Sequence, residues 1–168
     1  QQTGIKIAST RHEEIVKRDD VDAVIIATPN FTHPKIALDA IAQGKHVLSE
    51  KPLALNYAAA KAMADAADKA NVRHMTAFTY RFVPAMRYLN HLVKRGDLGQ
   101  PCHFRSCRLQ DWGTRGLGWR QLKKLAGTGE LGDMLSHRID FAHLLIGPMK
   151  RLVANMKIVH PIRGEQPN

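Results

Sequence analysis

From Asp22 to Phe78 short apolar runs alternate with stretches patterned at helical spacing. Ala23-Val24-Ile25-Ile26-Ala27 is continuously apolar, the pattern of a strand covered on both faces. Thr28-Pro29-Asn30 ends it. Thr32 is the expected cap of the next helix, and Pro34 falls in its first turn, where a missing N–H does little harm. Ile36, Ala37, Ala40 and Ile41 form the inward stripe, with Gly44 as the stop. His46-Val47-Leu48 reads as a second buried strand. Asn56 then caps a helix whose stripe is Ala59, Met63, Ala66 and Ala70, and Val72 to Phe78 reads as a third strand. This cadence predicts βαβ units in a parallel sheet. Upstream, Gly4 to Ala8 reads as a short strand. Thr10 is expected to cap a helix over Arg11 to Lys17, with Glu13 at the capping-box position.

After Arg81 the rhythm changes. Pro84 opens a helix carrying Met86, Leu89, Leu92 and Val93, and Gly96 closes it. Cys102 to Trp112 is expected to be a strand, partly exposed because Arg105 and Arg108 fall on opposite faces. The glycine-rich span Gly113 to Gly129 reads as a long functional loop. It is expected to move without ligand and to order over one, with Trp119 as a stacking plane and Arg120 as an anion clamp. A helix is expected from Leu131 to Ile146 and a further strand from Met149 to His160.

Composition adds limits. With 168 residues and 44% apolar content the chain is about one domain in size and can bury a core. A formal charge of +10 suggests an anionic partner such as a phosphate group. Nucleic acid is disfavoured: the basic residues are scattered and aromatics are 6%. Cys102 and Cys107, an odd number of residues apart on the expected strand, would face opposite ways and cannot bridge. Reduced thiols in a cytoplasmic compartment are the simpler reading. No apolar run reaches membrane-spanning length and no signal-peptide pattern is present, so no membrane role is expected. The chain starts Gln1-Gln2 without a methionine, which leaves its true beginning open.

Two stretches carry candidate chemistry. Glu50-Lys51-Pro52 stands where a strand ends, and open α/β sheets bind ligands outside the carboxyl ends of their strands. The proline restricts the backbone beside Lys51 and holds the lysine at the mouth of a cleft. The ordinary alternative is a solvated lysine in a turn. In the helix from Leu131, Asp133, His137 and Asp140 lie at i, i+4 and i+7, a polar stripe on an otherwise apolar element. Buried ionisable groups need partners or a task. A carboxylate and an imidazole one turn apart can share one hydroxyl, or they can be a structural pair. A metal on Asp133 and His137, extended by Asp140 or His143, is disfavoured. Catalytic zinc needs three protein ligands, and neither HExxH nor CxxC occurs here. Gly127-x-Gly129-x-x-Gly132 spells GxGxxG but does not follow a strand, so it is no phosphate cradle.

TPNFTHPKIALDAIAQGKHVLSEKPLA, then YRFVPAM, LGQPCHFR, LQDW, GWR and GTGELGDMLSH, resemble in order the glucose–fructose oxidoreductase / inositol dehydrogenase / MocA family. The resemblance implies an α/β fold: part of a Rossmann-type dinucleotide-binding domain over residues 1–80, then the beginning of an α+β substrate and oligomerisation domain over 81–168. It implies an NAD- or NADP-dependent oxidoreductase acting on a sugar or cyclitol hydroxyl, and assembling as a homo-oligomer. Lys51 matches the catalytic lysine, before a proline that is typically cis; Asp133 and His137 match the aspartate and the histidine base. Thr28, Pro29, Asn30, His33 and Glu50 match cofactor-lining positions together with Lys51, and Trp119 and Arg120 are added to them. A redox-assisted glycoside hydrolase and a silent sugar or nucleotide sensor are the alternatives on this fold. The family's opening strand, glycine-rich turn and helix do not occur here, and much of its C-terminal sheet is missing. The chain therefore reads as an interior fragment, expected to be inactive alone, to bind dinucleotide weakly, and to associate through Ala23 to Ala27.

Overall fold

The computed structural model describes residues 4–110, 116, 118–127, 129, 131–159 and 161–162. The described chain divides into two units, Gln1–Ala77 and Phe78–Asn168.

The first unit is a three-stranded parallel sheet in the order β1-β2-β3, with β1 Ala23–Ile26, β2 His46–Ser49 and β3 His74–Thr76. The crossovers are α2, His33–Ala42, and α3, Tyr57–Lys69; α1, His12–Val16, precedes β1. Each expected strand of this series is present, although the third keeps only His74–Thr76. Pro34 sits in the first turn of α2. Beyond Gln43 the helix closes as a Schellman motif: Gly44, at φ 71°, donates to the Ile41 carbonyl and Lys45 to that of Ala40. Asn56 caps α3 by accepting from the Ala59 N–H at 2.9 Å.

The core lies on one face of the sheet. Ile26 and Val47 pack there with Val16, Ala37, Ala40, Ile41, Met63, Ala67 and Val72. In α3 the buried alanine is Ala67, not Ala70, because Met63 and Ala67 stand one turn apart over the strands. The expected two-sided cover of Ala23 to Ala27 is not found: Ile25 is 73% exposed and Met75 50%. Both crossover helices pack on the same face, and residues of odd and even register part accordingly.

Other expectations need correction. Gly4 to Ala8 joins no sheet, and Ile5 and Ile7 are exposed. Thr10 does not cap α1. The Ser9 hydroxyl accepts from the Arg11 N–H at 3.0 Å and donates to Glu14 at 2.7 Å, so the side-chain contact comes from one residue earlier. Glu13 turns instead toward Lys35. Thr32 makes no side-chain cap; its hydroxyl donates to the Pro29 carbonyl at 2.7 Å.

The second unit holds α4, Pro84–Arg95, α5, Lys123–Ala126, and α6, Ser136–Leu145. Gly96 closes α4 in the left-handed conformation, at φ 79°. Met86, Leu89, Leu92 and Val93 are half-buried. The described parts of the expected strands Cys102 to Trp112 and Met149 to His160 are not strands. Alternation alone makes no strand without a partner to bond, and Leu109 and Val153 remain 91% and 97% exposed. Asp111, Trp112 and His160 lie outside the described residues. Cys102 and Cys107 are free and exposed. The span Gly113 to Gly129 is not all loop: Trp119–Gln121 is a 3-10 turn leading into α5, and residues 113–115, 117 and 128 lie outside the described residues. No helix among the described residues is long and apolar enough to cross a membrane.

Lys35 ties α2 to α1 through Glu13 at 3.1 Å, and His12 does so through Asp39 at 2.7 Å, while Lys35 also bonds Asp39 one turn on at 2.7 Å. The Lys35 ammonium, then His12, holds the Asp39 carboxyl below its ordinary range. Depressed carboxyls stabilise the fold above the carboxylate range, and that contribution is lost as pH falls through it. Lys35→Met should therefore lower the melting temperature near neutrality by about 1–3 °C. Melts across pH should show the gap to wild type closing as pH falls through and below the ordinary carboxylate range.

Candidate active site

Parallel pairing places the carboxyl ends of all three strands on one edge. The register is pinned there by Glu50 N–H donating to the Ile26 carbonyl at 2.8 Å and Ala77 N–H to that of Ser49 at 2.8 Å. Thr28-Pro29-Asn30 and Glu50-Lys51-Pro52 consequently leave adjacent strands at the same level. Thr28 is exposed, Pro29 half-buried and Asn30 buried; Glu50, Lys51 and Pro52 are half-buried. The Lys51–Pro52 peptide is cis. Glu50 folds its carboxylate back to accept from the Lys51 N–H at 3.1 Å.

His33 sits differently from its neighbours. It begins α2 and is fully buried, at 0% exposure. Nε2 lies 2.9 Å from the Thr28 carbonyl and Nδ1 3.0 Å from the Pro52 carbonyl. One ring thus joins the two loops.

In the second unit a π-helical turn, Leu131–Leu135, runs into α6. Wider turns of this kind are frequent at functional sites. Asp133 stands in it, half-buried, with its N–H bonded to the Gly129 carbonyl at 2.9 Å. Its carboxylate lies 3.8 Å from Arg120. The Arg120 guanidinium stacks on its neighbour Trp119, 4.4 Å from the ring centroid. Gly127, Gly129 and Gly132 follow α5 rather than a strand, as the rejection of a phosphate cradle requires. His137 is buried, at 6% exposure, with Tyr80 tilted over it at a centroid distance of 4.5 Å and Phe78 edge-on at 5.8 Å.

Asp140 does not share the task of the other two. It is 6% exposed and accepts from Arg81 Nε at 2.9 Å on both oxygens, and from the guanidinium Nη2. That bond raises the Arg81 pKa, against the opposing effect of burial. The helical stripe of three groups therefore divides: Asp140 is a structural pair, and Asp133 and His137 remain. Periodicity could not find Arg81, which lies far off in sequence. The clue was its place beside Tyr80 where the pattern changes.

What these groups can hold follows from their chemistry. The sheet edge offers a lysine, a carboxylate and hydroxyl and amide side chains outside strand ends, a set suited to the ribose and nicotinamide side of a dinucleotide. The first unit has no glycine-rich strand-to-helix turn among its described residues for a pyrophosphate.

Residues 1–78 match the model of an oxidoreductase family with an NAD-binding Rossmann fold, and residues 86–166 match the GFO/IDH/MocA C-terminal domain. The chain belongs to the GFO/IDH/MocA family, whose nucleotide domain binds NAD. It is 38% identical over 166 residues to levoglucosan dehydrogenase of Pseudarthrobacter phenanthrenivorans, covering 97% of this chain and 43% of that protein. A levoglucosan dehydrogenase structure in complex with NADH and levoglucosan superposes with a TM-score of 0.90 at 38% identity, over 94% of this chain and 44% of the other. A 2,7-anhydro-N-acetylneuraminate hydratase of Escherichia coli is 32% identical over 143 residues, 84% of this chain and 38% of that protein. The chain spans less than half the length of these relatives.

The Asp140 pairing has a measurable weight. Arg81→Leu would strand a buried carboxylate, though Arg81 is itself 41% exposed and partly screened. The loss should be about 1–3 kcal/mol, below that of a fully buried pair. Urea denaturation of wild type and variant checks it, with Asp140→Leu in the Arg81→Leu background restoring part of the stability.

Proposed function

We propose that the whole protein is an NAD- or NADP-dependent oxidoreductase moving hydride between a ring hydroxyl of a sugar or cyclitol and the nicotinamide. Residues 1–80 serve the dinucleotide and 81–168 begin the part that receives the substrate. The observation that carries this reading is the 0.90 TM-score to a levoglucosan dehydrogenase bound to NADH and its sugar. Lys51, Asp133 and His137 stand in its support at strand-end and helix positions suited to the chemistry.

His137 takes the proton of the hydroxyl as the carbon beneath it is oxidised. The O–H bond breaks, its electrons form the carbonyl, and the C–H electron pair leaves as hydride. A nicotinamide held at the strand ends would supply the hydride acceptor. Lys51 bonds the same oxygen and stabilises its developing negative charge. Asp133 orients the substrate and supports the imidazole. The apolar packing of Tyr80 and Phe78 around His137 fixes the ring in place and excludes water from it. Thr28, Pro29, Asn30 and Glu50 line the cofactor at the strand ends, and Trp119 and Arg120 are assigned to the cofactor with them.

A relative named as a hydratase keeps a second reading in view: transient oxidation by the same cofactor, with no net redox change. Net NADH accumulation on oxidising a sugar separates the two, with levoglucosan and free cyclitols as first substrates. In the full-length protein Lys51→Met and His137→Ala should each lower kcat/KM by about 10²–10⁴. Steady-state rates, with circular dichroism to establish folding, check this; folded variants at wild-type rates would refute both roles.

A further inference from the structure

Among the described residues, the buried polar and charged side chains of the first unit are Asn30, His33 and Ser49. His33 is the one that bonds two separate loops. Its ring is fully enclosed, and both nitrogens face carbonyl oxygens of the loops. Those carbonyls belong to Thr28, just past β1, and Pro52, just past β2. Neither has a rigid bridge to the other through the ladder, which ends at the bond from Glu50 N–H to the Ile26 carbonyl.

We propose that His33 is a positioning residue: a buried clamp that sets the Lys51–Pro52 loop against the Thr28–Asn30 loop and so holds both walls of the dinucleotide site in register. This rests on the functional reading above, in which the two loops line one cofactor. The ring has the properties the task needs. It is short and planar, with polar atoms on two sides, and α2 anchors it at its first residue. Thr32 stiffens the same turn, its N–H and hydroxyl both reaching the Pro29 carbonyl at 2.9 and 2.7 Å. On the far side Leu53 and Ala54 pack against the core, so the Pro52 carbonyl is presented from a fixed backbone. Carbonyls only accept and a neutral imidazole carries one N–H, so the ring donates to one of the two carbonyls and packs its other edge against the second. A buried carbonyl left without its donor favours opening of its loop.

The test uses the full-length protein with His33→Phe, which keeps a ring and removes both polar ring atoms, and His33→Gln, which keeps one amide donor group. Hydrogen exchange is followed in peptides covering 27–32 and 50–55, NADH and NADPH affinity by calorimetry, and folding by thermal melts. The clamp predicts faster exchange in both segments of His33→Phe, by about tenfold or more. It also predicts about tenfold weaker dinucleotide binding, with partial recovery in His33→Gln. Acceleration in one segment alone, or spread evenly over the unit, would overturn it. So would both loops loosening with dinucleotide affinity unchanged. If His33→Phe does not fold, His33→Gln decides by the same two readouts. Wild type that binds neither NADH nor NADPH would overturn the functional reading and the clamp's service to it; the exchange data would still decide whether the ring holds the loops.

Discussion

Parallel strand pairing gives this chain its one-sided chemistry. In an antiparallel sheet the ends of neighbouring strands would alternate between edges, and the loops after Ile26 and Ser49 would lie apart. Here the register Ile26 to Ser49 to Thr76 keeps them level. The bond from Glu50 N–H to the Ile26 carbonyl carries the ladder to the first residue of the loop itself. Every group assigned to the cofactor in the first unit leaves the sheet at that edge. A shift of one residue would turn Val47 and Ser49 out of the core and move Lys51 with them.

Much of this was legible because the crossover helices announce themselves chemically. Pro34, the Ala37–Ala40–Ile41 stripe, Gly44 and Asn56 each act through a local physical rule, and each occupies the expected position. The failures share a cause. Gly4 to Ala8, Cys102 to Trp112 and Met149 to His160 have strand-like composition, but a strand is a property of two segments, and the second cannot be read from the first. The coverage of β1 failed for a related reason: apolar residues on both faces say what a strand tolerates, not what packs on it. Ile25 shows the difference.

The site was legible to a different depth. Spacing grouped Asp133, His137 and Asp140, and helical geometry does place them on one element. It could not say that Arg81 would claim Asp140, because that partner comes from outside the helix. Nor could it separate His33 from the residues around it. In the motif Thr28-Pro29-Asn30…His33 all four look equally available to a ligand. Burial grades them: Thr28 faces solvent, Pro29 is half-buried, Asn30 is buried, and His33 is fully enclosed with both nitrogens against carbonyls. A motif records which side chains matter together without recording which touch the ligand and which hold the others.

Burial of polar groups also shows where the fold accepts an unfavourable cost. The helix-facing core of the first unit is built from alanine, valine, isoleucine and methionine, and its described members include no charged side chain. Enclosing a polar group is unfavourable unless its bonds are remade inside. Asn30, His33 and Ser49 are enclosed nonetheless, all at or just beyond strand ends. A fold shaped by stability alone would have no reason to gather them there, since apolar residues of similar volume pack as well. In the second unit the same concentration falls on α6, where His137 and Asp140 are the buried polar residues among those described. Asp140 is satisfied by Arg81 and fixes the helix that carries His137. The buried polar groups of both units thus stand within or directly behind the positions where the chemistry is proposed, where a fixed geometry would serve it most.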